Sequence, residues 1–247
     1  MRRALRFLLL PVLIVAVGAA ARAEETVNLP TRPGVTQSFL FTAVAHPAAS
    51  LILFPGAFGL VRAVRSNFLI RVVPNFAALD FSVAVVDSPT DQPNGMPDGF
   101  RMSEAHATDI AAVIAFLRHR AAVPVWLVGT SRGTVSAASI GVRLGPSVVA
   151  GVVLTSTVWA GSVAQVPLEQ LRVPTLLVHN RNDGCGESPF DYAALGLNRL
   201  SAAPAKALIA VSGGKVRSGP CDALSPHGYF GIEDQVVPLI AAWIKAH

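Results

Sequence analysis

The feature that most constrains the fold is a regular alternation between short apolar runs and longer segments with helical spacing. Such near-continuous runs, rich in β-branched residues, are typical of strands buried on both faces of a parallel sheet. The alternation predicts a layered α/β domain with a mostly parallel central sheet flanked by helices. The six runs lie at residues 50–54, 81–86, 123–128, 148–154, 173–178 and 207–211.

The segments between and around these runs complete the prediction. Residues 103–120 place apolar side chains at i, i+3, i+4 and i+7 starting from Ile110, which predicts an amphipathic helix, and residues 232–245 predict a closing helix. Residues 24–45 predict an antiparallel pair of strands that turns near residues 33–34. In such folds the chemistry gathers just beyond the carboxyl ends of the strands.

The first 23 residues predict a secretory signal peptide. A basic start, an apolar stretch at residues 7–21 and an A-x-A sequence at residues 21–23 follow one another in the required order. The apolar stretch is short for a membrane-spanning helix, and the alternative is an uncleaved N-terminal anchor. We therefore expect an exported protein, periplasmic or secreted, with one domain over residues 24–247 and no stable membrane insertion after cleavage.

The charge balance excludes one class of function. The chain has 20 basic and 15 acidic side chains, and four of the arginines lie within the predicted signal peptide. The remainder is almost neutral and has no basic run interleaved with aromatic residues, so a nucleic-acid partner is not expected. The low charged fraction of 14% argues against disorder, and the apolar content of 52% suits one full-sized core.

Cys185 and Cys221 are the two cysteines of the chain. In an exported protein an even pair usually forms a disulfide, although two buried free thiols are the alternative. On the loop-entropy estimate, a bridge across this separation would stabilise the fold by about 4 kcal/mol.

A serine between two glycines follows the run at residues 123–128, in the sequence Gly129-Thr130-Ser131-Arg132-Gly133. A sharp strand-to-helix turn would strain the serine backbone and leave room only for glycines two positions before and after it. Ser131 would then lie exposed at a helix N-terminus, where the backbone N–H of Arg132 can donate to an oxyanion. The alternative is a structural turn whose serine caps the helix.

A serine nucleophile needs a base and an acid that orients the base. His227 lies in a loop between the last apolar run and the closing helix, from which it can reach over the sheet. Asp183 follows the run at residues 173–178, and Asp87 and Asp191 are the competing carboxylates, with Asp87 better suited to hydrogen-bonding a loop. A Cys185–Cys221 bridge would then join the acid loop to the base loop and preorganise the site.

Taken in chain order, Ser131, Asp183 and His227 resemble the catalytic set of the α/β-hydrolase family. The resemblance is carried by GTSRG, LLVHNRND and PHGYFG, and it covers essentially all of residues 24–247. It implies about eight strands and a covalent acyl-serine mechanism that requires no metal or organic cofactor. A metal set formed by His179 with Asp183 and His227 has neither the spacing nor the ligand count of a metal site.

The family also supplies a second oxyanion donor from the loop after the third strand. That loop reads LFPGAFG here, with Pro55 where the family often has histidine. Gly56 permits the tight turn. The N–H of Ala57 is the implied donor, and the N–H of Phe58 is an alternative donor. The alternative to an oxyanion role is an ordinary glycine loop.

Two segments frame the expected cleft. Residues 156–172, where the family often inserts a lid, are too few for a multi-helix cap, so the resemblance implies an open cleft without a large lid. Phe58 and Trp159, with Val158, are expected at its mouth, although Trp159 could instead pack against the sheet. Residues 88–101 are rich in proline and glycine and are expected to form an irregular, surface-exposed rim.

These features favour a hydrolase that acts on a small or medium acyl substrate, above all a carboxylic ester. A peptidase, thioesterase or lactone hydrolase could use the same residues, because an acyl-serine site does not specify its leaving group. An exported binding protein with a non-productive site is the alternative from another class. The sequence does not indicate an oligomeric state.

Overall fold

A computed structural model describes residues 24–159 and 162–247, and an eight-stranded sheet forms its centre. The strand order is β1-β2-β4-β3-β5-β6-β7-β8. The pairs β1–β2 and β2–β4 are antiparallel, and every other neighbouring pair is parallel. The strands are β1 Glu24–Arg32, β2 Val35–Thr42, β3 Ala49–Phe54, β4 Phe81–Val86, β5 Val125–Thr130, β6 Gly151–Thr155, β7 Thr175–Asn180 and β8 Lys206–Val211. The predicted signal peptide lies outside the described residues.

The predicted hairpin and all six predicted strands are present, with shifted boundaries. β5 and β7 each begin directly after a proline, Pro124 or Pro174, because proline has no N–H to donate to a sheet ladder. β6 begins only at Gly151, because the amides of Val148 and Val149 turn back to the carbonyl of Gly145, and the Ala150 amide is the first of the predicted run to donate to β5, at the Val125 carbonyl. β8 is only partly buried, as an edge strand with one neighbour, whereas its sequence predicted burial on both faces.

Helices cover both faces of the sheet, and a hydrophobic core lies on each side. The predicted amphipathic helix begins after Ser103, whose hydroxyl accepts a hydrogen bond from the His106 N–H and caps it. The predicted closing helix is also present. The helices are α1 Phe68–Arg71, α2 Val73–Ala78, α3 Asp98–Arg101, α4 Glu104–Arg120, α5 Gly133–Leu144, α6 Asp191–Arg199 and α7 Glu233–Ala246.

The described part of the connection from β6 to β7, residues 156–159 and 162–174, contains no large lid. It has two short 3₁₀ turns, Ser162–Gln165 and Leu168–Gln170. This agrees with the expectation from its length. Within residues 24–159 and 162–247, no helix is long and apolar enough to cross a membrane.

The sheet brings four loops to one edge. The loops after β3, β5, β7 and β8 all leave from the carboxyl ends of parallel strands, and those strands are close together in the sheet order. The segments predicted to carry the chemistry therefore meet at this edge, as expected for a parallel sheet.

Candidate active site

Ser131 lies in a strained turn between β5 and α5. Its φ angle is 53°, in the left-handed region that non-glycine residues rarely adopt. A Cβ atom on Gly129 would lie 2.5 Å from the carbonyl oxygen of Gly133, and one on Gly133 would collide with the carbonyl of Phe54. The glycines at both positions are thus required by close backbone contact, as the sequence predicted.

Asp183 and His227 are brought together by the loops after β7 and β8. His227 Nδ1 lies 2.8 Å from Asp183 Oδ2, and the carboxylate is fully buried. The same carboxylate accepts hydrogen bonds from the Ser188 hydroxyl at 3.0 Å and the Cys185 amide at 2.9 Å. Because a carboxylate can only accept, Nδ1 of His227 carries a proton, and in the neutral ring Nε2 is then free to act as a base.

The backbone of His227 is fixed by buried neutral groups. Its carbonyl accepts from the Ser156 hydroxyl at 2.6 Å, and its amide donates to the Ser225 hydroxyl at 3.2 Å. The Tyr229 hydroxyl accepts from the Ser156 amide and donates to the Val178 carbonyl at 2.8 Å. Burial raises the pKa of Tyr229, so its hydroxyl keeps the proton that it donates.

Ser131 and His227 line the same cavity, of about 330 Å³. His227 Nε2 is buried and has no hydrogen-bond partner within the described ranges, so the bond from Ser131 Oγ to this atom is not formed. The structure therefore forms the contact between Asp183 and His227 and places Ser131 in the cavity that His227 also lines. The other lining residues are Gly56, Ala57, Ala63, Val64, Ser66, Asn67, Phe68, Thr130, Ser218, Cys221, Asp222, Ala223, Leu224 and Gly228.

The loop after β3 approaches the serine closely. A Cβ atom on Gly56 would lie 2.9 Å from the Cβ of Ser131, so only glycine allows this distance. The Gly59 amide closes a turn onto the Gly56 carbonyl at 3.1 Å. Within this turn Ala57 has a φ angle of 50°, and it lines the cavity.

Arg132 and Phe58 lie beside the cavity rather than in its lining. The Arg132 side chain pairs with Asp98 at 2.9 Å, and its guanidinium lies 5.9 Å from the centre of the Phe58 ring. Phe58 is 58% exposed. Its position on the rim differs from the pocket-lining role predicted for it, because its Cβ packs against Gly95 of a neighbouring loop.

Trp159 lies in the hydrophobic core, so its predicted place at the cleft is wrong. Its side chain is 7% exposed and packs against α6, where a Cβ atom on Gly196 would collide with the indole ring. Val158 is buried in the same core. Trp159 is therefore a packing residue, as the alternative had it, but the contact that holds its ring is with α6 and not the predicted one with the sheet.

The predicted disulfide between Cys185 and Cys221 is present, with a Cα–Cα distance of 4.5 Å. It joins the loop of Asp183 to the segment that leads to His227, and Cys221 also lines the cavity. The competing carboxylates lie elsewhere. Asp87 accepts hydrogen bonds from the amides of Val61 and Ser88, and Asp191 is exposed at the start of α6.

His179 and Ser188 support Asp183 and were not predicted to do so. His179 Nε2 lies 2.9 Å from the Ser188 carbonyl and 3.5 Å from Asp183 Oδ2. Burial lowers the pKa of His179, so its neutral ring donates to Ser188, whose hydroxyl in turn donates to Asp183. The available signal was the position of His179, four residues before Asp183 at the end of a strand.

Comparison with known proteins finds similarity in three dimensions only. No protein-family model matches the chain, and no curated protein does. Solved structures with similar folds include a CIB-like hydrolase from Thermoplasma acidophilum, with a TM-score of 0.65 and 16% identity over 92% of this chain and 100% of that one. A serine hydrolase homologue from Coxiella burnetii has a TM-score of 0.60 and 14% identity over 90% and 96%. The Pyrococcus furiosus esterase Pf2001 has a TM-score of 0.62 and 13% identity over 91% and 93%.

The chain adopts the α/β-hydrolase fold. The three similar structures each span nearly the whole of both chains, so the similarity covers the sheet and the loops at its carboxyl edge. At such low identity it extends to the fold and not to the activity. The chemistry of this α/β-hydrolase-fold protein has to be argued from its own site.

Proposed function

We propose that this protein is a serine hydrolase that cleaves a small or medium carboxylic ester through an acyl-serine intermediate. The observation that carries the proposal is the bond from His227 Nδ1 to the buried Asp183, in a cavity that His227 shares with Ser131. This bond leaves Nε2 as the acceptor on the cavity side. The strained backbone of Ser131 is a second support, since such strain is concentrated at functional sites.

In the first half-reaction Ser131 Oγ attacks the ester carbonyl carbon while His227 Nε2 takes its proton. The carbonyl π electrons move to oxygen, and the amides of Ala57 and Arg132 donate to the oxyanion. When the carbonyl re-forms, the C–O bond to the alcohol breaks, and the alcohol oxygen takes the proton from Nε2. Water then repeats the sequence on the acyl-serine and releases the carboxylic acid.

Asp183 holds the imidazole in the required tautomer and stabilises the imidazolium that forms in each step. The hydrogen bond between Ser131 Oγ and His227 Nε2 is not formed in this structure. Such catalytic bonds are often long in unliganded enzymes and shorten in the substrate complex. We therefore expect it to form as the acyl group fills the cavity.

The cavity size supports a short acyl group. The volume of about 330 Å³ lies near the lower end of the range of roughly 300–1,000 Å³ for small-molecule pockets. A long acyl chain would extend out of such a space into solvent, since the described connection from β6 to β7 provides no large lid. Peptide, thioester and lactone substrates remain the alternatives for the same residues.

We further propose that the protein is exported. The Cys185–Cys221 bridge supports this, because stable disulfides are typical of oxidising compartments. The sequence of the first 23 residues, read as a signal peptide, is the second support.

The test is hydrolysis of p-nitrophenyl esters from acetate to palmitate by the exported, oxidised protein. We expect an optimum among the short chains, and we expect Ser131→Ala to lose at least about 10³-fold in kcat. Ser201→Ala, which removes a serine on the exposed surface, is the matched control and should retain full activity.

Labelling with a fluorophosphonate separates the alternatives. A wild-type protein that is labelled at Ser131 but cleaves no ester would point to peptides, thioesters or lactones. A folded, oxidised wild type that is neither labelled nor active would reject the hydrolase proposal in favour of a binding protein.

A further inference from the structure

A buried arginine lies directly behind the loop that approaches Ser131. Arg101 is fully buried at the end of α3. Its guanidinium donates to the Ala57 carbonyl at 3.1 Å, to the Met96 carbonyl at 3.2 Å and to the Ser136 hydroxyl at 3.0 Å. It therefore holds three separate segments: the loop after β3, the loop before α3, and α5.

The guanidinium keeps its charge in this position. Burial lowers the pKa of Arg101 to about 10, helped by the nearby charge of Arg132 and opposed by that of Asp98. Placing a charged group in a protein interior is unfavourable, and uncharged acceptors offset only part of this cost. A cation kept in such a place calls for an explanation beyond packing.

The contacts of Arg101 complete the restraint on the loop after β3. The Gly56 carbonyl accepts from the Gly59 amide, the Ala57 carbonyl from Arg101, and the Phe58 carbonyl from the Met96 amide at 2.8 Å. Because the peptide group is planar and trans, fixing each carbonyl also fixes the opposed N–H of the next residue. The bonds at Gly56 and Ala57 thus set the directions of the Ala57 and Phe58 amides.

Ala57 needs such a restraint. Its φ angle of 50° is unfavourable for a residue with a Cβ, and conformations of this kind persist only where the surroundings enforce them. The packing is also tight, because a Cβ on Gly59 would lie 2.9 Å from Arg101 Nη2 and 2.6 Å from the Met96 methyl group. The Arg101 guanidinium thus packs directly against the turn at residues 56–59.

We propose that Arg101 is a positioning residue for the oxyanion-binding loop, holding the Ala57 carbonyl so that the loop amides face the substrate oxygen beside Ser131. The inference rests on the proposed hydrolase function. The held carbonyl belongs to the peptide group that carries the Phe58 N–H, so Arg101 sets the direction of that N–H directly and that of the Ala57 N–H through the fixed backbone of Ala57. Arg101 acts through the loop and touches no substrate.

The decisive readout is a split between kcat and KM. Arg101→Ala should lower kcat by about 10²-fold, the loss typical of one oxyanion donor, with KM changed less than about threefold. A trifluoromethyl ketone, which forms an oxyanion on Ser131, should bind more weakly by the same factor. Arg101→Lys should fall between the wild type and Arg101→Ala, and added guanidinium ion should restore part of the lost kcat.

Arg143→Ala is the matched control. Arg143 also donates through two nitrogens to a backbone carbonyl, that of Met102, but at an exposed position away from the loop after β3. Its variant should keep the wild-type kcat. If Arg101→Ala does not fold, Ser136→Ala takes its place, with a smaller fall in kcat at unchanged KM.

A folded Arg101→Ala with wild-type kcat would overturn the inference, and so would a loss that guanidinium and lysine both fail to restore. The rate of fluorophosphonate labelling distinguishes this failure from that of the proposed function. A wild type that is labelled no faster than Ser131→Ala rejects the hydrolase and the inference together. A wild type and an Arg101→Ala variant labelled at equal rates reject the inference alone.

Discussion

The two sides of the cavity are held in place by different physical means. On the side of Asp183 and His227, a disulfide joins the two loops and neutral groups complete the hydrogen bonds. On the side of Ala57, a buried cation holds the loop through carbonyl acceptors. Both sides are held by several contacts, but only the first includes a covalent link.

The difference follows from what each side has to hold. Asp183 and His227 come from loops after two different strands, so their separation depends on joining two chain segments. The loop after β3 is a single short turn, and what matters there is the direction of its amides. A guanidinium suits that task, because its planar group offers several donors in a fixed geometry.

The largest expected effect is on the side of the acid and base. Asp183→Asn should lower kcat by about 10⁴-fold, since an amide can donate to Nδ1 and thereby move the imidazole proton to Nε2. Steady-state kinetics on a short ester measures the change, and circular dichroism checks the fold. Asp87→Asn is the matched control, because Asp87 also follows a strand but contacts only loop amides. A larger loss at Asp87 than at Asp183 would contradict the assignment of the acid.

The disulfide comes next in size. Replacing Cys185 and Cys221 together by serine should lower the free energy of unfolding by about 4 kcal/mol, because the unfolded chain regains the entropy of a long loop. Urea denaturation of the oxidised wild type and of the variant measures this difference.

Reduction of the wild type tests whether the disulfide also affects activity. A reducing agent should lower kcat by a larger fraction than it lowers helical content, and it should not affect the double-serine variant. Full activity after complete reduction would show that the placement of Asp183 and His227 does not depend on the disulfide.

Much of the side of the cavity that carries Asp183 and His227 could be predicted from the sequence. Ser131 and Asp183 were expected just after strands and His227 in a late loop, which predicted that they lie at one edge of the sheet, and the even pair of cysteines in a chain predicted to be exported predicted the bridge. These predictions rest on topology, which follows from local patterns of apolar residues.

The contacts of Arg101 with the loop after β3 could not be predicted from the sequence, because they join segments that are distant in the chain. Residues 88–101 were expected to form an irregular, surface-exposed rim, yet they end in α3, and Pro89, Gly95, Met96 and Arg101 within them are buried. Arg101 can be buried because the carbonyls of Ala57 and Met96 accept its guanidinium hydrogen bonds. Trp159 was misplaced for a similar reason, since its burial depends on a glycine of α6.

The smallest expected effect concerns stability on the side of the buried cation. His106 Nε2 lies 3.1 Å from the Ser136 hydroxyl that also binds Arg101, and burial, with the charges of Arg101 and Arg32, lowers the pKa of His106 to about 3. Between this value and the ordinary value near 6.5, the unfolded chain binds a proton that the folded chain does not. Titration of His106 therefore does not reduce the free energy of unfolding above about pH 6.5. Below that pH, the free energy of unfolding decreases by about 1.4 kcal/mol for each pH unit.

His106→Gln removes this titration while keeping a polar group near Ser136. Measured by urea denaturation from pH 7.5 to 4.5, the wild type should lose stability relative to this variant only below about pH 6.5. His119→Gln, at the exposed end of the same helix, should follow the wild type. His179 is present in all three proteins, so its own contribution cancels in the comparison. If the difference in unfolding free energy between the wild type and His106→Gln were constant over this pH range, the folded protein would bind a proton at His106 as readily as the unfolded chain does. The interior around Arg101 would then accept a second positive charge, and the contrast between the neutral and the cationic side of the cavity would fail.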